Sequence, residues 1–189
     1  IQANIIPMSD SPVRTMVDTN IGTLPFQEYF VKNRCKPIVS EIRFDGIEKA
    51  RPAQAFLECL DDSNLSAIII CPSNPFLSVN PILSLPSLKE KIKAVGKPVI
   101  VVSPIVQGNS IKGPTAKLMQ ELNLECSVET IANLYKDISS AIVIDNTDKS
   151  AINDIKSTGL EILSANIVMN SLQDKIGLAN EVIDFSRSL

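Results

Sequence analysis

Apolar positions along the chain follow two rhythms. Short β-branched runs recur at residues 4–8, 38–44, 67–70, 98–103, 141–145 and 160–165, and each predicts a strand. Three of these runs, at 67–70, 99–102 and 141–144, are apolar at successive positions without polar alternation, as expected of central strands covered on both faces of a parallel sheet. Helical stripes lie between them. Pro52 suits a first helical position ahead of Ala53, Phe56, Leu57 and Leu60, and Pro86 does the same for Leu88, Ile92 and Val95, with Gly96 placed to end that helix in a left-handed conformation. Asp148 is placed to cap Ala151, Ile152 and Ile155 in a helix closing at Gly159. Asn170 with Gln173 resembles a capping box ahead of Leu172, Ile176, Ala179 and Ile183. Alternating strands and helices predict an α/β fold: a Rossmann-like, three-layer domain with a mostly parallel sheet, occupying residues 1–189 as a single domain without repeat, low-complexity tract or linker.

Composition narrows the function. A chain of 189 residues buries enough surface to need neither a disulfide nor a metal for stability. The balance of 18 basic and 21 acidic residues gives a net charge of −3 without long runs of one sign, which argues against nucleic acid or an anionic membrane surface as partner. No apolar stretch approaches a membrane span, and nothing at the start resembles a signal peptide, so a cytoplasmic protein is expected. The cysteines (Cys35, Cys59, Cys71, Cys126) show no C-x-x-C spacing, and Cys59 and Cys71, in apolar segments, read as small buried hydrophobes. The chain contains no histidine, which rules out Ser-His-Asp and Cys-His nucleophile pairs and His-ligated zinc within it.

Candidate chemistry gathers after the predicted strands. In open α/β sheets, ligands sit outside the carboxyl ends of the strands. The stretch "CPSNPFLSVNP" (71–81) stands at such an end: Pro72 and Pro75 hold Ser73 and Asn74 in a rigid extended or turn shape, and Asn74 offers the donor and acceptor that can read a heterocyclic base. The competing reading is a proline-rich turn that caps the next helix. The next strand runs into "SPIVQGNSIKGPT" (103–115), where Gly108 and Gly113 have the glycine spacing of a phosphate loop but Pro114 occupies the lysine position, so that motif fails. Lys112 beside Gly113 remains either an anion site at a helix start or an ordinary surface lysine. A third strand ends in "DNTD" (145–148), where Asp148 reads as a cap and Asp145 as a possible ligand contact. Nearer the start, Arg14 is either a bidentate phosphate clamp or a surface arginine. The aromatics Phe26, Tyr29 and Phe30 read as a helix packed on the sheet.

Taken together, "PMSDSPVRT", "GTLPFQEYFVKNRC", "CPSNPFLSVNPIL", "VIVVSPIVQGNSIKGP", "IANLYKD" and "IVIDNTD" resemble, in that order, the 2-phospho-L-lactate transferases that build the deazaflavin coenzyme of methanogens and actinobacteria. The resemblance implies transfer of a 2-phospholactyl (or enolpyruvyl phosphate) group from a guanosine diphosphate ester to a deazaflavin riboside, with release of GMP and magnesium as cofactor. It places Ser73, Asn74, Pro75 and Ser78 in the guanine-nucleotide pocket, Ser103, Lys112 and Gly113 on its boundary, and Arg14, Phe26 and Tyr29 toward the deazaflavin side or bracing the cleft. It implies a homodimer as well. A related group of nucleotide-sugar-binding regulatory modules is the alternative. Family members open with a strand, a Gly-Gly-Thr-Gly loop and a metal-binding aspartate that have no counterpart here, so the resemblance implies the later part of a longer enzyme.

Overall fold

The structure, a computed structural model, describes residues 3–189 and divides into two compact units, one of Ile1–Leu65 with Phe76–Gly96 and one of Ser66–Pro75 with Lys97–Leu189.

The first unit is built on an antiparallel sheet of which the hydrophobic pattern predicted only the strand at 38–44. Strands β1 (Arg14–Thr19), β2 (Gly22–Pro25) and β3 (Val39–Asp45) pair in the order β2-β1-β3. A tight turn joins β1 to β2: Thr19 lies opposite Gly22 and its hydroxyl donates to the Gly22 carbonyl at 2.7 Å, with Gly22 at a φ of 113° that favours glycine. Arg43 on β3 reaches across to Asp18 on β1, Nε to Oδ2 at 2.8 Å. That guanidinium, with the Thr23 hydroxyl, holds the Asp18 carboxyl below the usual range. Gly46, just after β3, has a φ of 92°, and a Cβ there would come within 2.7 Å of the Pro12 carbonyl oxygen, so only glycine fits. Beyond β2 the chain turns into a short π-helical segment, Glu28–Lys32, that buries Tyr29 completely and stacks Phe26 against Phe30 at a ring separation of 5.4 Å. Helix α1 (Gln54–Asp61) buries Ala53 and Leu60 as its stripe requires. Helices α2 (Asn80–Leu83) and α3 (Leu88–Ala94) complete the unit, α3 followed by Gly96 at φ 66° as expected.

Residues 4–8, expected as a strand, are not one. Ile5 is 95% exposed, no neighbouring strand pairs with the segment, and Pro7 removes a donor that a ladder would need. Cys59 and Cys71, expected to be buried, are exposed free thiols.

The second unit carries the predicted parallel sheet. Strands β4 (Ile68–Ile70), β5 (Val99–Val102), β8 (Ala141–Asp145) and β9 (Glu161–Ala165) lie side by side in that order, all parallel. A hairpin of β6 (Ile105–Val106) and β7 (Asn109–Ser110) follows β5. Its turn residues Gln107 and Gly108 have φ of 48° and 70°, the type I′ geometry whose twist matches paired strands. Helices α4 (Thr115–Glu121) and α5 (Val128–Tyr135) lead to β8, α6 (Ile152–Lys156) joins β8 to β9, and α7 (Leu172–Ser186) ends the chain. The inner strands β5 and β8 are buried at every position, and strand alternation divides them between two cores. Ile100, Val102, Ala141, Val143 and Ala165 face Leu178 and Val182 of α7, each of which gains roughly 1.5–3 kcal/mol from burial. Val99, Val101, Ile142 and Ile144 point to the opposite face. β4 differs from the expectation: it is an edge strand, and Ile69 is 40% exposed. No helix among the described residues is long and apolar enough to cross a membrane.

Candidate functional site

The carboxyl ends of the parallel strands in the second unit enclose a hollow of about 170 Å³. Ser73 and Asn74, after β4, form part of its lining, and Ile111, Lys112 and Gly113, after the β6–β7 hairpin, form another part. Ile167 and Met169, after β9, supply a third side that the sequence reading left unremarked, although the same strand-end rule points to them. The volume falls below the 300–1,000 Å³ typical of drug-sized ligand sites, so the hollow is too small to enclose a molecule of that size. Lys112 is the charged residue of the lining, and it is exposed. Exposed Ile111 and Met169 flank it with apolar surface.

Local hydrogen bonds explain why these loops hold their shape. Ser103 is wholly buried; its hydroxyl donates to the Ile105 carbonyl at 3.0 Å and accepts the Ile105 N–H at 3.1 Å, so it fixes the exit from β5 and does not line the hollow. Ser110 Oγ donates to the Gly113 carbonyl at 3.2 Å and accepts the Ala116 N–H at 3.4 Å, which closes the 110–116 loop and occupies a donor at the start of α4. Lys112 is thus the positive charge at the hollow, and the Ala116 N–H at the start of α4 is already taken.

The two aspartates of "DNTD" do not hold the roles expected of them. Asp145, not Asp148, caps the turn after β8: its Oδ1 accepts the Thr147 N–H at 3.0 Å and the Thr147 hydroxyl at 2.6 Å, while Oδ2 accepts the Ile167 N–H at 3.2 Å. Burial opposes its ionisation, but these donors outweigh burial and hold the carboxyl below the usual range. Asp148 instead reaches the β6–β7 hairpin, where both oxygens accept the Gln107 N–H at 3.0 and 3.1 Å. Burial pushes its carboxyl up, aided by the charges of Asp145 and Glu129 against the pull of the Gln107 N–H. Asp145 thus braces the strand exit that leads to Ile167 and Met169, and Asp148 braces the hairpin that leads to Lys112.

The remaining candidates lie elsewhere. Pro75 is buried at the end of the 66–75 segment. Arg14 is exposed at the start of β1, Phe26 is half-buried, Tyr29 is buried with its hydroxyl 3.5 Å from the Cys35 carbonyl, and Ser78 is exposed in the helical turn Pro75–Val79; none of these four lines the hollow.

A sequence profile of the 2-phospho-L-lactate transferase CofD family matches residues 1–176. The chain belongs to this family. A 2-phospho-L-lactate transferase of Methanocaldococcus jannaschii is 39% identical over 193 residues, covering 100% of this chain and 60% of the relative. Those of Methanococcoides burtonii and Methanosarcina acetivorans are 33% and 36% identical, each covering 97% of this chain and 58% of the relative. The chain therefore spans about 60% of the length of the curated relatives it matches. A solved protein of the UPF0052 family from Bacillus halodurans shares the fold with a TM-score of 0.58 at 15% identity, over 92% of this chain and 59% of that one.

Proposed function

We propose that this chain carries the donor-binding part of a 2-phospho-L-lactate transferase, in which a 2-phospholactyl or enolpyruvyl phosphate group passes from a guanosine diphosphate ester to the ribityl hydroxyl of a deazaflavin. The acceptor hydroxyl oxygen attacks the phosphorus that bears the lactyl group. The bond from that phosphorus to the GMP phosphate oxygen breaks, GMP leaves with the electron pair, and the hydroxyl proton passes to solvent. Such transfers depend on positioning and on neutralising developing charge more than on a proton-shuttling side chain, so a chain without histidine is suited to them. The observation that carries the reading is the gathering of Ser73, Asn74 and Lys112 around one hollow at the strand ends of a parallel sheet, in a chain of this family.

On this reading the Lys112 ammonium faces the diphosphate, Ser73 donates a hydrogen bond to it, and Ile111 and Met169 cover the less polar part of the donor. Asp145 and Asp148 hold the strand exit and hairpin in place without touching substrate. Magnesium is expected for a diphosphate donor. No carboxylate lines the hollow, however, and no group of three His, Cys, Asp or Glu side chains suited to a metal gathers among the described residues. These residues do not fit a protein-held magnesium ion.

Calorimetric titration of the chain with GDP tests the reading. Lys112→Gln is expected to weaken binding about tenfold, equivalent to about 1.4 kcal/mol. Unchanged affinity would remove Lys112 from the donor site. Phospholactyl transfer assayed with a deazaflavin acceptor separates a transferase from a nucleotide-binding regulatory module, which would bind GDP without turnover.

A further inference from the structure

The first unit contains a larger hollow, of about 560 Å³, between the β1–β2 turn and the loop that follows the π-helical segment. Lys32, Arg34 and Lys36 line it together with Asn20, Asn33 and Ile21, and no acidic residue does. Lys32 is paired with Glu28 at 2.6 Å. Arg34 and Lys36 make no ion pair and no side-chain hydrogen bond with any described residue. The polar groups left over are mostly donors. The Asn20 carbonyl oxygen is occupied by the Ile38 N–H at 2.8 Å, which leaves its amide Nδ2 as a donor, while Asn33 gives its own Nδ2 to the Glu28 carbonyl and leaves an acceptor.

The backbone fixes this arrangement. Arg34 and Cys35 are consecutive non-glycine residues at φ of 49° and 57°, a conformation costing roughly 1–2 kcal/mol per residue. The bend is held by the Cys35 N–H to the Tyr29 carbonyl and the Lys36 N–H to the Asn33 carbonyl, both 3.0 Å. A strained but well-bonded turn therefore presents two cations, with no carboxylate to answer them, beside the 61% exposed Ile21. Strain of this kind collects at ligand sites, and the volume lies within the range of small-molecule sites.

We propose that this hollow is an anion site for a phosphate-bearing small molecule, with Arg34 and Lys36 as its charged contacts, the Asn20 amide as a further donor and Ile21 against the less polar part of the ligand. The planar guanidinium of Arg34 suits bidentate binding of a phosphate, and two cations suit a ligand with more than one negative charge. The site shares no lining residue with the hollow around Lys112 and does not depend on the transfer reaction proposed for the chain.

Inorganic pyrophosphate titrated at low salt, followed by backbone amide NMR, reads the site directly. Saturable shifts are expected at the amides of residues 32–36. They should persist in Lys112→Gln and weaken at least tenfold in an Arg34→Asn, Lys36→Gln double variant, asparagine being chosen because it tolerates a left-handed backbone. Circular dichroism reports whether the double variant is folded; if it is not, Lys36→Gln alone is expected to weaken binding about threefold or more. Absence of saturable shifts at residues 32–36, shifts that survive these substitutions in folded protein, or shifts abolished by Lys112→Gln would each overturn the proposal.

Discussion

Asp145 and Asp148 show how the same residue type, three positions apart, acquires opposite electrostatics from its surroundings. Asp145 accepts three hydrogen bonds and is held below the ordinary carboxylate value of 3.8, so its ionised form contributes stability at neutral pH that is lost as pH falls from that value through the lower folded one. Asp148 is raised above 3.8, so its ionised form opposes folding at neutral pH, and the protein gains from its protonation as pH falls through the raised value. Asp145→Asn sets an amide N–H against the Thr147 or Ile167 donors and is expected to cost about 2 kcal/mol at pH 7, with the deficit shrinking below pH 3.8 as the native carboxylate protonates. Asp148→Asn keeps an acceptor for Gln107 and is expected to raise the urea midpoint at pH 7, the difference vanishing as pH falls through the raised value. Urea unfolding of both variants across acid pH measures the pair; shifts of the same sign at pH 7 would contradict this account. The cap expected at Asp148 falls at Asp145, because either aspartate of "DNTD" can serve and the choice rests on where β8 ends.

Helix α7 shows a comparable limit at the level of an element. Its existence was legible, but its rotation was not, because it carries two apolar stripes. The expected stripe of Leu172, Ile176, Ala179 and Ile183 is exposed, and Leu178 and Val182, with half-buried Phe185, face the sheet. The cap was likewise displaced by one residue. Ser171 accepts the Asp174 N–H at 3.1 Å and Asp174 accepts the Ser171 N–H at 2.8 Å, a capping box in place of the pair expected from Asn170 and Gln173. Leu178→Ala is expected to cost about 2–4 kcal/mol, from lost burial and the cavity left behind, while Ile176→Ala, at a position 51% exposed, stays within about 0.5 kcal/mol. Chemical denaturation of the two variants decides the orientation; the opposite ranking would place the other stripe against the sheet. β4 repeats the lesson for strands. Its run of three isoleucines reads as a strand covered on both faces, yet it lies at the edge of the sheet formed by the described residues, because an apolar run does not itself say which strand sits beside it.

Across the whole chain, legibility followed the range of the interactions that decide each feature. Inner strands β5 and β8, buried at every position, were marked by unbroken apolar runs, and the convergence of Ser73 and Asn74 with Lys112 and Gly113 followed from the general behaviour of parallel-sheet carboxyl ends. The antiparallel sheet was marked only at β3, by the run at 38–44: β1 has one fully buried residue, Val17, and its pairing with β3 bridges residues far apart in the chain, so no local rhythm announced β1, β2 or the pairing. The same distinction should govern local stability. Native-state hydrogen exchange is expected to be slowest at β5 and β8, whose amides open only with the core of their unit, and much faster at β4, where ladder alternation turns the Ile69 N–H toward the open edge. Residues 4–8, outside any strand ladder, should exchange fastest of the three. Protection at Ile69 equal to that at Val101 would show that the edge of β4 is covered in solution, and protection throughout residues 4–8 would show that this segment forms the strand its hydrophobic run suggested.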